Sequence, residues 1–490
     1  MKLPSAIKVL FVSSEVFPLI KTGGLADVSG SLPAALQLLG VDIRILMPGY
    51  PSVLDQLTDL CSIADLSLPF SKNAQLMMGM ILGTQLQVMV VKCPTLYERS
   101  GGPYADEKGL EWPDNALRFG LLSKVAATLS GQETPLTNWQ PDIVHCNDWQ
   151  TGLTPAYMKL TENTSAKSII SIHNMAFQGI YPSEWIQTLG LPAANFTMQG
   201  FEYFGQLSFL KAGIYYADSI TTVSPSYAVE IQTPAYGFGM EGLLAQRGNE
   251  IKGILNGIET EEWNPDKDVH LVKNYNATNI AGKRQVKKSL QKKLGLKIDA
   301  HAPLLGVVSR LTHQKGLDLL LPNMQYLIDS GCQLALLGSG EIELETAFIK
   351  YATNNPLQVV VTIGYNESLS HQIMAGCDIF IMPSRFEPCG LNQLYGLAYG
   401  TPPVVNATGG LADSVTDTTA ISLKNKLASG FVMADASAET LLECIIRAIE
   451  IYKENKKMWR AIQKNGMTQN LSWDKSAMEY LHLYQALLNA

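Results

Sequence analysis

The segment Pro383–Gly400, PSRFEPCGLNQLYGLAYG, decides how the chain is interpreted. The apolar run DIFIM before it predicts a buried strand, and a polar loop and a helical pattern opened by Gly390 follow. A parallel strand that leads through a loop into a helix can bind anions, because unpaired backbone N–H groups point at the ligand. The backbone of Cys389, Gly390 and Leu391 would bind a phosphate, and the Glu387 carboxylate would hold hydroxyl groups. The predicted ligand is a nucleotide sugar.

Length and composition restrict the class of protein. The 490 residues are too many for one core and suit two domains, and 46% hydrophobic with 17% charged residues is typical of a globular chain. A net charge of −7 argues against nucleic acid or an anionic membrane as a partner. The seven cysteines form no CxxC pair, which argues against a zinc site and a disulfide framework. We therefore expect free thiols and a cytoplasmic protein.

The start of the chain has the pattern of a strand–helix–strand unit. Ile7–Val12 and Val41–Met47 read as buried strands, and a helix begins at the glycine pair Gly23 and Gly24. The spacing is neither the dinucleotide fingerprint nor the Walker pattern. The two glycines allow the backbone to approach a ligand closely, and Lys21 supplies a positive charge beside them.

Four further apolar runs of the first half each end in polar residues: PDIVHCNDW, SIISIHN, DSITTVS and GILNGI. Asp148, His173, Ser224 and Asn256 stand at these ends. Ligands of open α/β sheets lie beyond the carboxyl ends of the strands, so the four ends predict the wall of a binding site. His145 is instead interpreted as a core or surface residue.

A second series of strands and helices begins after a lysine-rich stretch. Pro303–Ser309 predicts a strand and Leu317–Ser330 predicts a helix, with a loop between them that carries Arg310 and Lys315. Arginine can bind two phosphate oxygens at once, and lysine acts as a point charge. Because no DxD-like acidic cluster accompanies them, we expect these two cations, and no metal ion or other cofactor, to neutralise a diphosphate.

The predicted fold class is therefore α/β, with two Rossmann-like doubly wound domains facing across a cleft. Residues 1–262 would form the N-terminal domain, with the acceptor side and the KTGGL loop, and residues 263–470 would form the donor-binding domain. Residues 471–490 predict a C-terminal helix, for which a return to the N-terminal domain is a hypothesis.

With these motifs assembled, the chain resembles the bacterial glycogen (starch) synthases, a family of retaining glycosyltransferases that use ADP-glucose and have the GT-B fold. The resemblance runs nearly end to end and rests on KTGGLADV and on eight motifs that follow it in the family's order: HCNDW, IHNMAFQG, GQLSFLKAGIYYAD, FGMEGLL, ILNGI, VSRLTHQKG, RFEPCGLNQLYGL and TGGLADSV. The resemblance implies transfer of glucose from ADP-glucose to the non-reducing 4-hydroxyl of glycogen or another α-1,4-glucan, with retention of configuration.

The resemblance also implies roles for single residues on the donor side. Arg310 and Lys315 would contact the diphosphate, Glu387 would bind hydroxyls of the transferred glucose, and Tyr365 would stack on adenine. Thr408, Gly409 and Gly410 would give backbone contacts to phosphate.

In the N-terminal half of the chain, the resemblance implies that His173 faces the hydroxymethyl end of the glucose, near the anomeric carbon. Asp148 and Asn256 would line the glucose and acceptor region. Lys21, with Gly23 and Gly24, would close over the donor.

Three positions depart from related patterns. The wider GT-B group often has a second glutamate at the position of Tyr395. The bacterial synthases, like this chain, lack that glutamate. Asn406 and Ala398 stand where basic residues are common, which leaves the choice of ADP or UDP open. Two alternatives also remain: a sucrose or trehalose-phosphate synthase, and a glucan-binding protein without activity. A pyridoxal-dependent phosphorylase is excluded less directly, because the matched motifs are those of the synthase.

Overall fold

The computed structural model of the chain describes residues 6–68, 70–161 and 164–489. Residues 1–5, 69, 162, 163 and 490, which fall in the predicted first domain and the predicted last helix, lie outside the described residues. The chain divides into two compact units. The first comprises Met1–Asn256 together with Trp473–Ala490, and the second comprises Gly257–Ser472.

The first unit is built on a sheet of nine strands in the order β12-β11-β7-β6-β1-β2-β5-β4-β3. The strands are parallel from β12 to β5, and β5, β4 and β3 pair antiparallel at one edge. The strands are β1 (Lys8–Val12), β2 (Asp42–Pro48), β3 (Leu57–Leu68), β4 (Ser71–Ile81), β5 (Gln87–Lys92), β6 (Ile143–Asn147), β7 (Lys167–Ile172), β11 (Ser219–Thr222) and β12 (Ile251–Gly253). A small antiparallel sheet contains β8 (Ile180–Tyr181), β9 (Glu202–Tyr203) and β10 (Gln206–Ser208).

The second unit has a parallel sheet of six strands in the order β15-β14-β13-β16-β17-β18. Its inner strands are almost wholly apolar and buried, as expected for a parallel sheet covered on both faces. The strands are β13 (Leu304–Val308), β14 (Gln333–Gly338), β15 (Val359–Ile363), β16 (Ile379–Met382), β17 (Pro403–Asn406) and β18 (Phe431–Met433).

Helices connect these strands in both units. Those that precede the second unit are α1 (Gly24–Leu38), α2 (Pro51–Gln56), α3 (Pro94–Tyr97), α4 (Asn115–Ser130), α5 (Leu153–Leu160), α6 (Trp185–Thr188), α7 (Phe209–Tyr216), α8 (Pro225–Glu230) and α9 (Glu241–Gln246). Those of the second unit are α10 (Ala281–Leu294), α11 (Met324–Asp329), α12 (Ile342–Asn354), α13 (Glu367–Gly376), α14 (Asn392–Ala398), α15 (Gly409–Ser414), α16 (Ala420–Lys424), α17 (Ala438–Glu454) and α18 (Lys456–Met467), and α19 (Trp473–Asn489) follows them.

Helix α19 belongs to the first unit, where it contacts α1. Its buried Tyr484 hydroxyl lies 2.7 Å from Nδ1 of His145 on β6, and Nε2 of the same ring lies 2.6 Å from the Ser171 hydroxyl. His145 is therefore a fully buried and hydrogen-bonded core residue, in agreement with the sequence interpretation. Burial lowers the pKa of this imidazole to about 3, so the ring is neutral.

Two local predictions are wrong. The predicted helix Leu317–Ser330 consists of two short 3₁₀ turns followed by α11, because Pro322 has no N–H and its ring clashes with the carbonyl four residues earlier. Gly390 does not open a helix: its φ is +72°, a left-handed conformation, and α14 begins only at Asn392.

Within the described residues, the structure contains no helix with the length and apolar character needed to cross a membrane.

Candidate active site

In both sheets the strand order reverses between two central strands, and this point marks the ligand-binding edge of doubly wound folds. In the first unit the reversal lies between β1 and β6, and in the second unit it lies between β13 and β16. The loops after β13 and β16 are those that carry Lys315 and Glu387. We call residues 309–316 and 383–391 the donor loop pair.

The two loops are joined by an ion pair. Nζ of Lys315 lies 2.5 Å from Oε2 of Glu387, and the Ser384 hydroxyl donates to the same oxygen at 2.9 Å. The Lys315 and Glu387 side chains are only 16% and 7% exposed. The other carboxylate oxygen of Glu387 has no hydrogen-bond partner among the described residues, so it can accept hydrogen bonds from a ligand.

A second ion pair joins Arg385, in the loop of residues 383–391, to Asp318, which follows the loop of residues 309–316. The Arg385 guanidinium contacts both oxygens of Asp318 at 2.6 and 2.7 Å and donates to the His313 carbonyl at 2.8 Å. The hydrogen bond with Arg385 is the main cause that lowers the pKa of Asp318, so the pair stays charged at neutral pH. We call Arg385 and Asp318 the clamp. Its geometry is bidentate, which restrains orientation as well as distance.

The donor loop pair also depends on glycines. Gly316 has a φ of +69°, and a Cβ added there would lie 2.1 Å from the Pro383 carbonyl oxygen. A Cβ on Gly409 or Gly410 would lie 2.1 Å from the carbonyl oxygen of Glu387 or Cys389. These glycines therefore let three backbone segments pack around Glu387.

Two of the backbone N–H groups that were predicted to contact phosphate, those of Thr408 and Gly410, donate to carbonyl groups of the protein itself. The Gly410 N–H donates to the carbonyls of both Glu387 and Pro388 at 3.1 Å. The Thr408 N–H donates to the Asn406 carbonyl at 3.0 Å. Both amides are thus occupied within the protein, and the phosphate contacts proposed for Thr408, Gly409 and Gly410 stay predictions.

Two further donor-side residues are exposed. Arg310 follows the end of β13, and its side chain has no ion-pair partner among the described residues. Tyr365 follows β15 after Gly364 and is 73% exposed. Cys389 is buried and its carbonyl accepts a hydrogen bond from the Gln393 side chain at 3.0 Å, while Leu391 caps α14.

In the first unit, Asp148 stands at the end of β6, at the reversal of the strand order. Its φ of +60° is unusual for a residue with a side chain, and such strained conformations cluster at functional sites. The side chain is 6% exposed, and burial raises the pKa of its carboxyl to about 7 although backbone N–H groups of His173, Asn174 and Trp149 oppose this. Asp148 can therefore exchange a proton near neutral pH.

His173 stands at the end of the neighbouring strand β7. Its Nε2 lies 3.0 Å from Oδ1 of Asn147, and its backbone N–H points at the Asp148 carboxyl at 3.4 Å. Burial lowers the pKa of this imidazole to about 4, so the ring is neutral at pH 7. Because Asn147 offers its oxygen, Nε2 carries the proton and Nδ1 can accept a hydrogen bond.

The glycine loop before α1 is held by Glu15, which sequence reasoning missed. The Glu15 carboxylate accepts from the Thr22 N–H at 2.5 Å, the Thr22 hydroxyl at 2.7 Å and the Gly23 N–H at 3.3 Å, and it also contacts the Tyr104 hydroxyl. Lys21 lies beside this network and pairs with Asp27 at 2.8 Å. Gly24 is the first residue of α1.

Asn256 lies just after β12 and is 7% exposed. Its Oδ1 is buried without a hydrogen-bond partner in the described part of the chain. Buried polar atoms are rarely left without a partner, so this atom is a candidate ligand contact.

The structure shows what contacts the three residues that depart from related patterns. Tyr395 stacks on Trp263 with ring centres 3.7 Å apart, so it packs where the wider group often has an acid. Asn406 is buried and its side chain donates to the Ser384 carbonyl at 3.2 Å, which supports the Glu387 loop. Ala398 is half-buried against a hydrophobic cluster of the second unit.

Sequence reasoning also missed Asn147, Ser384 and the clamp. Ser384 and Arg385 lie in the segment from which the interpretation began, but their partners are set by the fold. Among the described residues, Glu262, Glu367 and His371 form the group that could hold a metal ion, and none of them belongs to the donor loop pair.

Known proteins resemble both halves of the chain. Residues 8–246 match the family model described as starch synthase catalytic domain, and residues 289–465 match glycosyl transferases group 1. A glycogen synthase of Nitrosomonas eutropha is 51% identical over 98% of this chain and 96% of its own, and one of Nitrosospira multiformis is 50% identical over 99% and 98%.

Solved structures agree. The catalytic domain of starch synthase IV from Arabidopsis thaliana, bound to ADP and acarbose, has a TM-score of 0.88 at 30% identity and covers 99% of this chain and 100% of its own. A sucrose-phosphate synthase of Thermosynechococcus elongatus, with a TM-score of 0.60 at 15% identity over 99% of both chains, shares the fold alone. The predicted family, the predicted fold class and the predicted enzyme class are confirmed. The chain belongs to the glycogen synthase family and is a glycosyltransferase with the GT-B fold.

Proposed function

We propose that the protein elongates glycogen by transferring glucose from ADP-glucose to the non-reducing 4-hydroxyl of an α-1,4-glucan, with retention of configuration. The observation that carries this proposal is the ion pair of Lys315 and Glu387 at the strand-order reversal of the second unit. It supports the proposal because a cation that could bind phosphate lies beside a carboxylate with an oxygen that could accept hydrogen bonds from sugar hydroxyls.

On the donor side, Arg310 and Lys315 would bind the diphosphate. The Lys315 ammonium has three N–H donors, so its bond to Glu387 leaves others for phosphate oxygens. Exposed Tyr365 would stack on adenine, and the backbone of Cys389, Gly390 and Leu391 would line the phosphate.

On the sugar and acceptor side, the proposal uses the polar strand ends of the first unit. Neutral His173 would accept a hydrogen bond from the hydroxymethyl group through Nδ1. Asp148, with its pKa near 7, and Asn256, with its buried Oδ1, would contact hydroxyls of the glucose or the acceptor. Lys21 would exchange its bond with Asp27 for a donor phosphate, while Gly23 stays fixed by Glu15.

The reaction breaks the bond between the anomeric carbon and the phosphate oxygen. Negative charge then develops on the diphosphate and positive character on the sugar ring, and only interactions that strengthen in this transition state accelerate the step. Arg310 and Lys315 would stabilise the departing diphosphate electrostatically. We propose a front-face mechanism in which the diphosphate accepts the proton of the incoming 4-hydroxyl. Trapping a covalent glucosyl-enzyme on Asp148 or Glu387 would exclude it.

The test is nucleotide release from ADP-glucose and UDP-glucose, measured with glycogen, short maltodextrins, fructose 6-phosphate and glucose 6-phosphate as acceptors. We expect ADP release that requires a glucan and extends it by α-1,4 linkages. Release with a sugar phosphate alone would favour a sucrose- or trehalose-phosphate synthase. Binding of glucan without nucleotide release would favour a glucan-binding protein without activity.

The proposed compartment is the cytoplasm. In support, all seven cysteines lie among the described residues and none of them is in a disulfide bond, and burial raises the pKa of several of them, among them Cys332 to about 11.

A further inference from the structure

A second cluster of charged side chains lies in the second unit, away from the donor loop pair in sequence. Glu367 and His371 are one turn apart on α13, and Glu262 comes from the segment that precedes α10. One nitrogen of the imidazole and one oxygen from each carboxylate lie within 4.8 Å of one another. Nothing in the proposed transfer reaction uses these three residues.

The His371 ring is held in one orientation. Its Nδ1 lies 2.8 Å from Oδ2 of Asp268, and the Tyr399 hydroxyl donates to the same oxygen at 2.5 Å. Trp263 stacks on the ring with centres 3.9 Å apart and an angle of 14° between planes. The side chain is 1% exposed. With Nδ1 occupied by Asp268, the other ring nitrogen is directed at the two glutamates.

Nε2 of His371 is buried without a hydrogen-bond partner in the part of the chain that the structure describes. Oε1 of Glu367 lies 3.4 Å from this nitrogen, and the two atoms do not have hydrogen-bond geometry. Two ligands of a tetrahedral zinc ion, each about 2.0–2.1 Å from the metal, are separated by roughly 3.3–3.4 Å. The observed distance therefore matches two ligands of one ion better than it matches a hydrogen bond.

The charges around the cluster also favour a cation. The carboxylates of Glu262, Asp268 and Glu367 surround a single imidazole, so the cluster is negative whether or not that ring is protonated. A histidine whose second nitrogen donates to a carboxylate is the usual arrangement of a metal-binding imidazole, because that carboxylate fixes the tautomer and orientation.

We propose that His371, Glu367 and Glu262 bind a divalent transition-metal ion, with Zn²⁺ the best match to one imidazole and two carboxylates, and that Asp268 orients His371. Water would fill the fourth position. The ion would link α13 to the segment before α10, so its role would be structural and separate from glucosyl transfer.

A proton is the competitor for this site. Burial alone would lower the pKa of His371, but the hydrogen bond with Asp268 and the negative charges of Asp268 and Glu367 outweigh it and raise the pKa to about 9. An imidazolium ion held by the carboxylates is therefore the alternative occupant, and the experiment must distinguish the two states.

The test uses the full chain after dialysis against a chelator. Zn²⁺ binding is measured by calorimetry and by metal content after gel filtration, and Co²⁺ serves as a probe whose visible absorption reports four-coordinate geometry. We expect one ion per chain. His371→Asn and Glu367→Gln should abolish binding, and Asp268→Asn should weaken it about 10–100-fold.

Three variants keep the test decisive. His482→Asn and Glu343→Gln remove an exposed histidine and an exposed glutamate elsewhere and should retain the full affinity. Glu262→Gln changes an exposed residue, so it should weaken binding while the protein stays folded. Absence of binding to the unmodified chain, with His371 titrating as an imidazolium by NMR, would overturn the proposal. Binding that survives in His371→Asn would overturn it as well.

Discussion

The two units hold their candidate functional groups by different physical means. In the second unit, Lys315 and Glu387 pair as opposite charges, and the clamp of Arg385 and Asp318 adds another ion pair beside them. In the first unit, Asp148 and His173 have no oppositely charged partner among the described residues and are held by backbone strain, backbone N–H groups and burial.

The difference has a chemical consequence. Charge-assisted hydrogen bonds are stronger than neutral ones, so charged side chains suit a site that binds an anion and stabilises its departure. Burial moves the pKa of an acid up and that of a histidine down, which leaves Asp148 close to half protonated and His173 neutral at pH 7. Under the proposed function, the second unit would stabilise charge, and the first would present hydrogen-bonding groups to a neutral sugar.

The largest expected effect tests the charged pair. Lys315→Ala and Glu387→Ala should each lower kcat by about 10²–10³, because a charge contact in a desolvated site is typically worth about 2.7–4 kcal/mol in the transition state. Turnover is measured by ADP release at saturating glucan. The exposed Lys350 and Glu343 provide matched alanine controls that should keep normal turnover. Near-normal rates in the Lys315 and Glu387 variants would mean that the site is misplaced.

The next prediction tests whether burial raises the pKa of Asp148 in the first unit. Unfolding lets Asp148 ionise at the ordinary pKa near 3.9, whereas the folded protein holds its proton to about pH 7. The unfolded state therefore binds fewer protons between pH 4 and 7, and stability falls as pH rises through that window. Asp148→Asn should remove this fall, a gain relative to wild type of a few kcal/mol at most, about 1.4 for each pH unit.

Hydrogen exchange of β6 and β7 between pH 4.5 and 7.5 measures this difference. Asp55→Asn, at an exposed position of α2, is the control and should leave the pH dependence unchanged. A constant offset between wild type and Asp148→Asn at every pH would show that burial does not shift this carboxyl.

A smaller effect separates close packing from backbone strain in the donor loop pair. Gly316→Ala should destabilise the second unit by about 1–3 kcal/mol, since it adds strain at positive φ and places Cβ against the Pro383 carbonyl. Gly295 has a φ of +73° and open space around it, so Gly295→Ala carries the strain alone. Thermal unfolding of both variants measures the difference. Equal losses would show that the contact with Pro383 is unimportant.

The smallest effect tests the clamp by a double-mutant cycle of Arg385→Lys and Asp318→Asn. The side chains are 26% and 34% exposed, so we expect a coupling of only about 1 kcal/mol, visible mainly in the KM for the donor. Arg447 and Asp417 form a similar bidentate pair at 36% and 28% exposure outside the donor loop pair. Their cycle should change stability alone. Equal effects on KM from both cycles would remove the clamp from the site.

The sequence was sufficient for the fold class and the family, because alternating apolar runs and ordered motifs are local patterns. Hydrophobic periodicity also led to two wrong predictions. It predicted a continuous helix over Leu317–Ser330 although Pro322 interrupts it, and it gave no sign of the left-handed conformation of Gly390. The Lys315–Glu387 and Asp318–Arg385 contacts depend on the order of the strands, which decides that β13 and β16 are neighbours.

Other parts of the site depend on burial, which a sequence does not state. Asp148 is an ordinary aspartate in the printed chain, and its pKa near 7 follows from its surroundings. Glu15 precedes Thr22 and Gly23 by only a few residues, yet the turn that brings their N–H groups onto its carboxylate has no clear sequence signal.

The position of α19 has a consequence for how the chain acquires its structure during synthesis. The whole second unit, Gly257–Ser472, is inserted between the body of the first unit and this helix. A ribosome that adds about 5–20 residues per second would need roughly 10–40 s to translate that insertion. Throughout this interval the surface of α1 that receives α19 is uncovered, and His145 lacks its tyrosine partner. The first unit, whose translation begins before that of the second, therefore cannot complete its fold until α19 has been synthesised. Until then, the uncovered surface of the nascent chain is open to aggregation or chaperone binding.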